Sequence, residues 1–137
     1  MHFAIRTEDI YPGDLAINDA YEHGPRVRRS EKYARAVSEL ACRASLKWHP
    51  KGPMRTTEVY ILHTASVDID SPVKGILDAL QQGRVLVDDK HVLDLIVFKA
   101  PITTNIIDIE VFPWAMFDPK TRGVVDRMRR EQRGGAK

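Results

Sequence analysis

The chain has one cysteine, Cys42. A lone thiol excludes an internal disulfide framework and a cysteine-based zinc site. Long apolar runs are missing: none approaches the roughly 18 residues that cross a bilayer, so no membrane partner is expected. The opening M-H-F-A-I-R-T-E-D carries acidic residues where a secretory leader needs an apolar stretch, so no export is expected and cytoplasmic residence is the default. Internal repeats and low-complexity tracts are absent as well. What is present is 137 residues, 43% hydrophobic and 29% charged, which suits one domain able to bury a real core.

The net charge of +2 is small, but its distribution is uneven. Basic residues gather at Arg26, Arg28, Arg29, Lys32 and Arg35, and again at Lys120, Arg122, Arg127, Arg129, Arg130 and Arg133. The acidic clusters lie between them. A basic periphery around an acidic centre suits a polyanion gripped at its edges with metal ions at the middle. The competing reading is a set of solvated helix faces.

Residues 3–6 read as a short strand, followed by a loop with Pro12, Gly13, Asn18, Gly24 and Pro25. From Ser30 to about Ala44 the spacing predicts a helix whose apolar face holds Tyr33, Val37, Leu40, Ala41 and Ala44. Cys42, beside that stripe, reads as a small packed residue. The β-branched and aromatic run 56–65 predicts a strand. A second helix is expected with Ser71 as N-cap, Pro72 at its first position, Val73, Ile76, Leu77 and Leu80 on its apolar face, and Gly83 as terminator. Segments 85–87, 91–99 and 105–112 read as strands, and 119–132 as a basic helix. The expected fold class is α/β (α+β): a single mixed sheet with two to three helices. Residues 1–113 form the expected main domain and 114–137 a C-terminal basic helical extension.

The informative stretch is S-V-D-I-D-S-P-V-K-G-I-L-D-A-L, residues 66–80. A helix over 72–82 advances about 16 Å, and an extended return from Gly83 to Asp88 covers about 16 Å. A return along the helix would bring Asp88 and Asp89 beside Asp68 and Asp70. Four converging carboxylates stay ionised only with cations among them. Oxygen donors without histidine or thiolate select Mg²⁺, with Mn²⁺ as a substitute. Such ions polarise a phosphoryl oxygen and activate water. Lys74, one turn into the helix with its Cα–Cβ bond tilted toward the N-terminus, would hold the phosphate or stabilise developing charge.

Each part also has a plainer reading. Asp68 and Asp70 alone suit a solvated helix entrance that complements the dipole. Asp88-Asp89 alone suits a turn, and Lys74 with Asp78 an i,i+4 surface pair. The matched path lengths favour the metal site. The single histidines His49, His63 and His91 read as surface or packed residues rather than ligands.

These residues resemble the RusA-like Holliday junction resolvases. That family's signature is D-L-D-N, a lysine four residues after the second aspartate, F-D-A-L, then a D-D pair before a strand. Here stand D-I-D-S (68–71), Lys74, L-D-A-L (77–80), V-D-D (87–89), H-V-L-D (91–94) and Lys99-Ala100-Pro101, with no gap in spacing. Pro12, Asn18, Tyr21, Arg29 and Tyr33 resemble the family's opening more loosely. The likeness runs over roughly residues 10–112 and is specific over 66–101.

The resemblance implies a homodimeric, Mg²⁺-dependent endonuclease that makes paired nicks in four-way DNA junctions. It implies metal binding and catalysis at Asp68, Asp70 and Asp89, with Asp88 beside them in the metal cluster, and a catalytic Lys74. Arg26, Arg28, Arg29, Lys32 and Lys99 are the candidate DNA contacts, touching phosphates rather than bases. Two positions depart from the pattern. His63-Thr64-Ala65-Ser66 stands where the family places arginines, so the basic segments at 26–35 or 120–133 would have to supply that grip. Ser71 replaces an asparagine, another good helix cap. The segment after about 113 has no counterpart; Trp114 and Phe117 are expected to pack. Two rivals remain: a non-catalytic branched-DNA-binding protein with a degenerate acidic cluster, and a small metal-dependent phosphatase or sugar transferase using D-x-D.

Overall fold

Val59-Tyr60-Ile61-Leu62 is an unbroken apolar run, which a strand with one wet face cannot satisfy. The fold gives it two dry faces. In the computed structural model, which describes residues 2–16, 21–22, 28–29, 31–64, 67–101, 104–114 and 119–134, this run lies in an interior strand. The strands are β1 (Phe3–Thr7), β2 (Tyr21–Glu22), β3 (Arg28–Arg29), β4 (Thr57–Thr64), β5 (Val92–Ala100) and β6 (Ile107–Pro113). The helices are α1 (Glu31–Trp48), α2 (Val73–Gln82) and α3 (Pro119–Gly134). The main sheet has the order β1-β6-β4-β5, and β2 pairs with β3 as a separate ribbon.

The sheet is mixed. β6 runs antiparallel to β1 and β4, with Val111 opposite both Phe3 and Val59. β4 and β5 are parallel, with Val59 opposite Leu95 and His63 opposite Lys99. Parallel neighbours need a long crossover, and that crossover contains both acidic pairs and α2. This is an α+β fold with one mixed four-stranded sheet and three helices, the class expected from sequence.

Side-chain alternation divides the core. Val59, Ile61, Ile109 and Val111 face α1 and α2, meeting Tyr33, Val37, Leu40, Ile76 and Leu80. Tyr60, Leu62, Phe98 and Phe112 face α3, meeting Val124 and Met128. Each fully buried leucine or isoleucine in these layers contributes about 1.5–3 kcal/mol. Two glycines permit the close packing of α2. A Cβ on Gly75 would collide with the Leu15 carbonyl, and one on Gly83 would come within 2.7 Å of the Ala41 carbonyl oxygen.

α3 is also held by charge. Arg127 contacts Asp108 Oδ2 at 2.9 Å, Glu110 Oε2 at 2.5 Å and Glu131 Oε2 at 2.7 Å. Arg6 joins the same group through Asp108 and Glu131. Burial alone would lower the Arg127 pKa, but its hydrogen bonds to Asp108 and Glu110 outweigh that and raise it.

Four local expectations are corrected. Segment 85–87 is no strand: Met54 and Leu86 form a single parallel bridge, with Met54 N–H donating to Val85 and Val87 N–H to Met54. Ser71 does not cap α2; the N-cap is Pro72, without a side-chain hydrogen bond. Cys42 is exposed rather than packed. α1 continues to Trp48, whose ring is buried and whose indole N–H donates to the Gly52 carbonyl. Trp114 is half-buried and donates its indole N–H to Asp94, whereas Phe117 lies outside the described residues.

Candidate active site

The crossover from β4 to β5 begins with a chain of turns. Ser71 N–H donates to the Asp68 carbonyl and Val73 N–H to the Asp70 carbonyl, each at 3.1 Å. Asp68, Ile69 and Asp70 are all exposed. The chain then enters α2, whose amphipathic pattern buries Ile76, Leu77 and Leu80 and turns Lys74 outward. After Gly83, Arg84 takes a left-handed conformation with φ 63° and redirects the chain toward β5.

Asp88 caps a short 3-10 turn spanning Asp89–His91 by accepting from the Lys90 N–H at 3.1 Å. That hydrogen bond is the main reason its carboxyl lies below the usual carboxylate range. Asp89 is tied to α2 twice: its N–H donates to Gln81 Oε1 at 3.1 Å, and its Oδ2 accepts from Lys74 Nζ at 2.5 Å. Lys74 also meets Asp78 Oδ1 at 3.2 Å, and Asp78 accepts from the buried Tyr33 hydroxyl at 2.6 Å. A polar relay therefore runs Tyr33–Asp78–Lys74–Asp89, from α1 through α2 to the second acidic pair. The hydrogen bond that Lys74 donates to Asp89 dominates its environment and raises its pKa above 10.5 despite partial desolvation. Lys74 is thus a fixed positive charge at neutral pH.

The structure brings Lys74 and Asp89 into contact, and Asp88 adjoins them in the chain. Asp68 and Asp70 sit in the turns that lead into the same helix. Among the described residues, no three histidine, cysteine, aspartate or glutamate side chains are grouped so as to hold a metal ion. The donor set is nonetheless all carboxylate oxygen, at least partly open to solvent, which is the chemistry a hard divalent ion takes.

The expected DNA contacts are scattered. Lys32 is exposed at a cleft of about 220 Å³ that it shares with Arg35, Asp9, Asp14 and Glu39. Lys99 is half-buried on β5, where its carbonyl accepts from Gln132. Arg28 and Arg29 form β3, and only their backbone is described; Arg26 lies outside the described residues. No helix among the described residues is long and apolar enough to cross a membrane.

Two residues have more to do around this site than sequence reasoning gave them: Asp78, read only as an i,i+4 surface partner of Lys74, and His63. Asp78 anchors Lys74, and its i,i+4 spacing was the visible signal. His63, set aside as a scattered histidine, is wholly buried beneath the Asp68–Asp70 turn. Its separation of two from Ile61 and four from Val59 puts it on the same inward face of β4.

The model of the family described as endodeoxyribonuclease RusA matches residues 20–112, more than half of the chain. No curated protein gives a significant match. The matched span includes α1, the parallel strands β4 and β5, both acidic pairs and Lys74, and the chain belongs to the RusA endodeoxyribonuclease family, membership that implies a junction-resolving nuclease binding branched DNA.

Proposed function

We propose that this protein is a Mg²⁺-dependent endonuclease that resolves four-way DNA junctions, acting as a homodimer that places one nick in each of two equivalent strands. The observation that carries this reading is the Lys74–Asp89 contact, which joins the two halves of the family motif across the crossover. Asp68, Asp70, Asp88 and Asp89 would hold the ion, and Mn²⁺ would substitute. When bound, a divalent ion supplies Lewis-acid polarisation of the phosphoryl oxygen and a lowered pKa for water.

The chain's own residues do the rest. The Lys74 ammonium, oriented by Asp78 and Asp89, meets charge that builds on the phosphate in the transition state. Lys32, Lys99, Arg26, Arg28 and Arg29 would position the DNA through its phosphates, without reading sequence. Two copies suit a two-fold substrate. The outer strand β5 also supports pairing of copies, since it leaves Leu93, Leu95 and Ile96 exposed directly after Asp88-Asp89. Residues 114–137 are read as a basic appendage to a nuclease domain ending near 113.

The test is incubation with a labelled synthetic four-way junction and a linear duplex, each with Mg²⁺ and with chelator. Symmetric paired nicks in the junction only, and only with metal, are expected. A second reading is a non-catalytic branched-DNA-binding protein. His63-Thr64-Ala65-Ser66, standing where the family places arginines, favours it. Junction binding without cutting in either Mg²⁺ or Mn²⁺ would establish that reading instead.

A further inference from the structure

We propose that His63 is a positioning residue that sets the two aspartates of the D-I-D turn; its consequence for catalysis rests on the nuclease reading above. His63 lies near the end of β4, an interior strand, and its exposure is 0%. Its ring spans two backbone carbonyls. Nδ1 is 2.8 Å from the Thr64 carbonyl oxygen, and Nε2 is 2.8 Å from the Ile69 carbonyl oxygen. Carbonyl oxygens only accept, so a ring with a single N–H donates to one of them, and it is the Nε2–H tautomer that bonds Ile69.

The Ile69 contact is the informative one. Three successive carbonyls in this turn are held: Asp68 by Ser71 N–H, Ile69 by His63, and Asp70 by Val73 N–H. The outer two are held by the turn itself, and the middle one by a side chain fixed in the sheet. The Ile69 carbonyl shares a rigid peptide plane with the Asp70 N–H and Cα. Anchoring that oxygen therefore sets the direction in which Asp70 leaves the backbone, and with it the relation of Asp70 to Asp68 one peptide earlier. The ring itself has little freedom, because β4 is hydrogen-bonded to β5 and β6 on its two sides. His63 is wholly buried, and its ring contacts are to backbone carbonyls. It acts through the turn.

Displacing a catalytic group by about 1 Å costs on the order of 100-fold in rate, which is the effect expected if the turn loosens. The test uses the full chain as His63→Leu, which removes the ring N–H, and His63→Gln, whose amide N–H replaces the Nε2 donor. Amide hydrogen exchange is followed without metal, and junction cutting with Mg²⁺. In His63→Leu, the Ser71 and Val73 amides should exchange at least tenfold faster while β1, β4 and β6 keep their protection. Cutting should fall about 100-fold at unchanged junction affinity. His63→Gln should restore most of both.

Wild-type exchange at Ser71 and Val73 in His63→Leu overturns the proposal. So does loosening spread equally through the sheet without rescue by glutamine, the mark of a merely packed residue. Should His63→Leu not fold, His63→Asn replaces it, since its shorter amide serves the Thr64 side and leaves Ile69 unanchored. If the wild-type protein cuts no branched DNA, the nuclease reading falls, and the exchange rates still decide the role of His63.

Discussion

Replacing Lys74 with methionine separates two effects of very different size. The side chain is 49% exposed and engages two carboxylates, Asp89 at 2.5 Å and Asp78 at 3.2 Å. Ion pairs this open to solvent are worth roughly 0.2–1 kcal/mol each, because water screens them and ordering a long side chain opposes them. Methionine keeps most of the aliphatic stem, so folding should lose about 1 kcal/mol, or roughly 3–6 °C in Tm for a chain of this size. A donor aimed at charge that develops only in the transition state is worth far more, about 2.7–4 kcal/mol or 10²–10³-fold in rate. Lys74→Met should therefore cut a four-way junction 100-fold slower or worse, with a small Tm change and undiminished junction binding. Single-turnover cutting of a labelled junction, paired with thermal melting, measures both quantities on one preparation. Cutting within threefold of wild type would show that Lys74 is only a surface ion pair. A Tm loss above about 10 °C would show that the relay to Tyr33 is chiefly structural.

Asp70→Asn should abolish cutting while junction binding survives in a gel-shift assay; normal cutting by this variant would remove Asp70 from the site. The pH dependence has two arms with opposite signs. The pKa of Lys74 is raised, so the stability from its pairs is complete below 10.5 and lost as pH rises through the folded-state value. Cutting between pH 7 and 10 should then show no loss that depends on Lys74, a comparison made against Lys74→Arg. The pKa of Asp88 is lowered, so its contribution is present above 3.8 and lost as pH falls through the folded-state value. The Tm gap between wild type and Asp88→Asn, measured in chelator, should accordingly close on acidification below that range.

The long elements were legible because their signals repeat. α1 shows its stripe over several turns, and β4 and β5 combine length with β-branched residues. Among short segments, the strand read at 3–6 is present as β1, but 85–87 is not a strand. Val85 and Leu86 are buried as a strand would bury them, yet the segment is too short for a ladder and is satisfied by one bridge to Met54. Ser71 has the chemistry of a cap, but the backbone turns from Asp68 to Val73 already satisfy the helix entrance. Cys42 sits one residue past Ala41, about 100° around the helix, which was enough to put it in solvent. In the candidate site, the motif identified the residues but not their partners. Lys74 meets Asp89 Oδ2, and Asp89 N–H meets Gln81 Oε1, pairings the motif does not spell out. His63 was invisible as a lone histidine, since its meaning depends on where Ile69 returns over the end of β4.

The inward turn of Arg127 changes what the C-terminal helix offers to the outside. Its guanidinium is committed to Asp108 and Glu110 on the sheet, so the cations that α3 leaves open to solvent are Arg122, Arg129, Arg130 and Arg133. Shortening the chain at residue 113 would remove those outward cations and, in the same cut, take one of the two arginines paired with Asp108, which is nearly sealed from solvent. Weak DNA binding by such a truncated form would then report two losses at once. Reversing the exposed arginines one by one, with Arg127 left in place, is the way to learn how far the tail touches the junction.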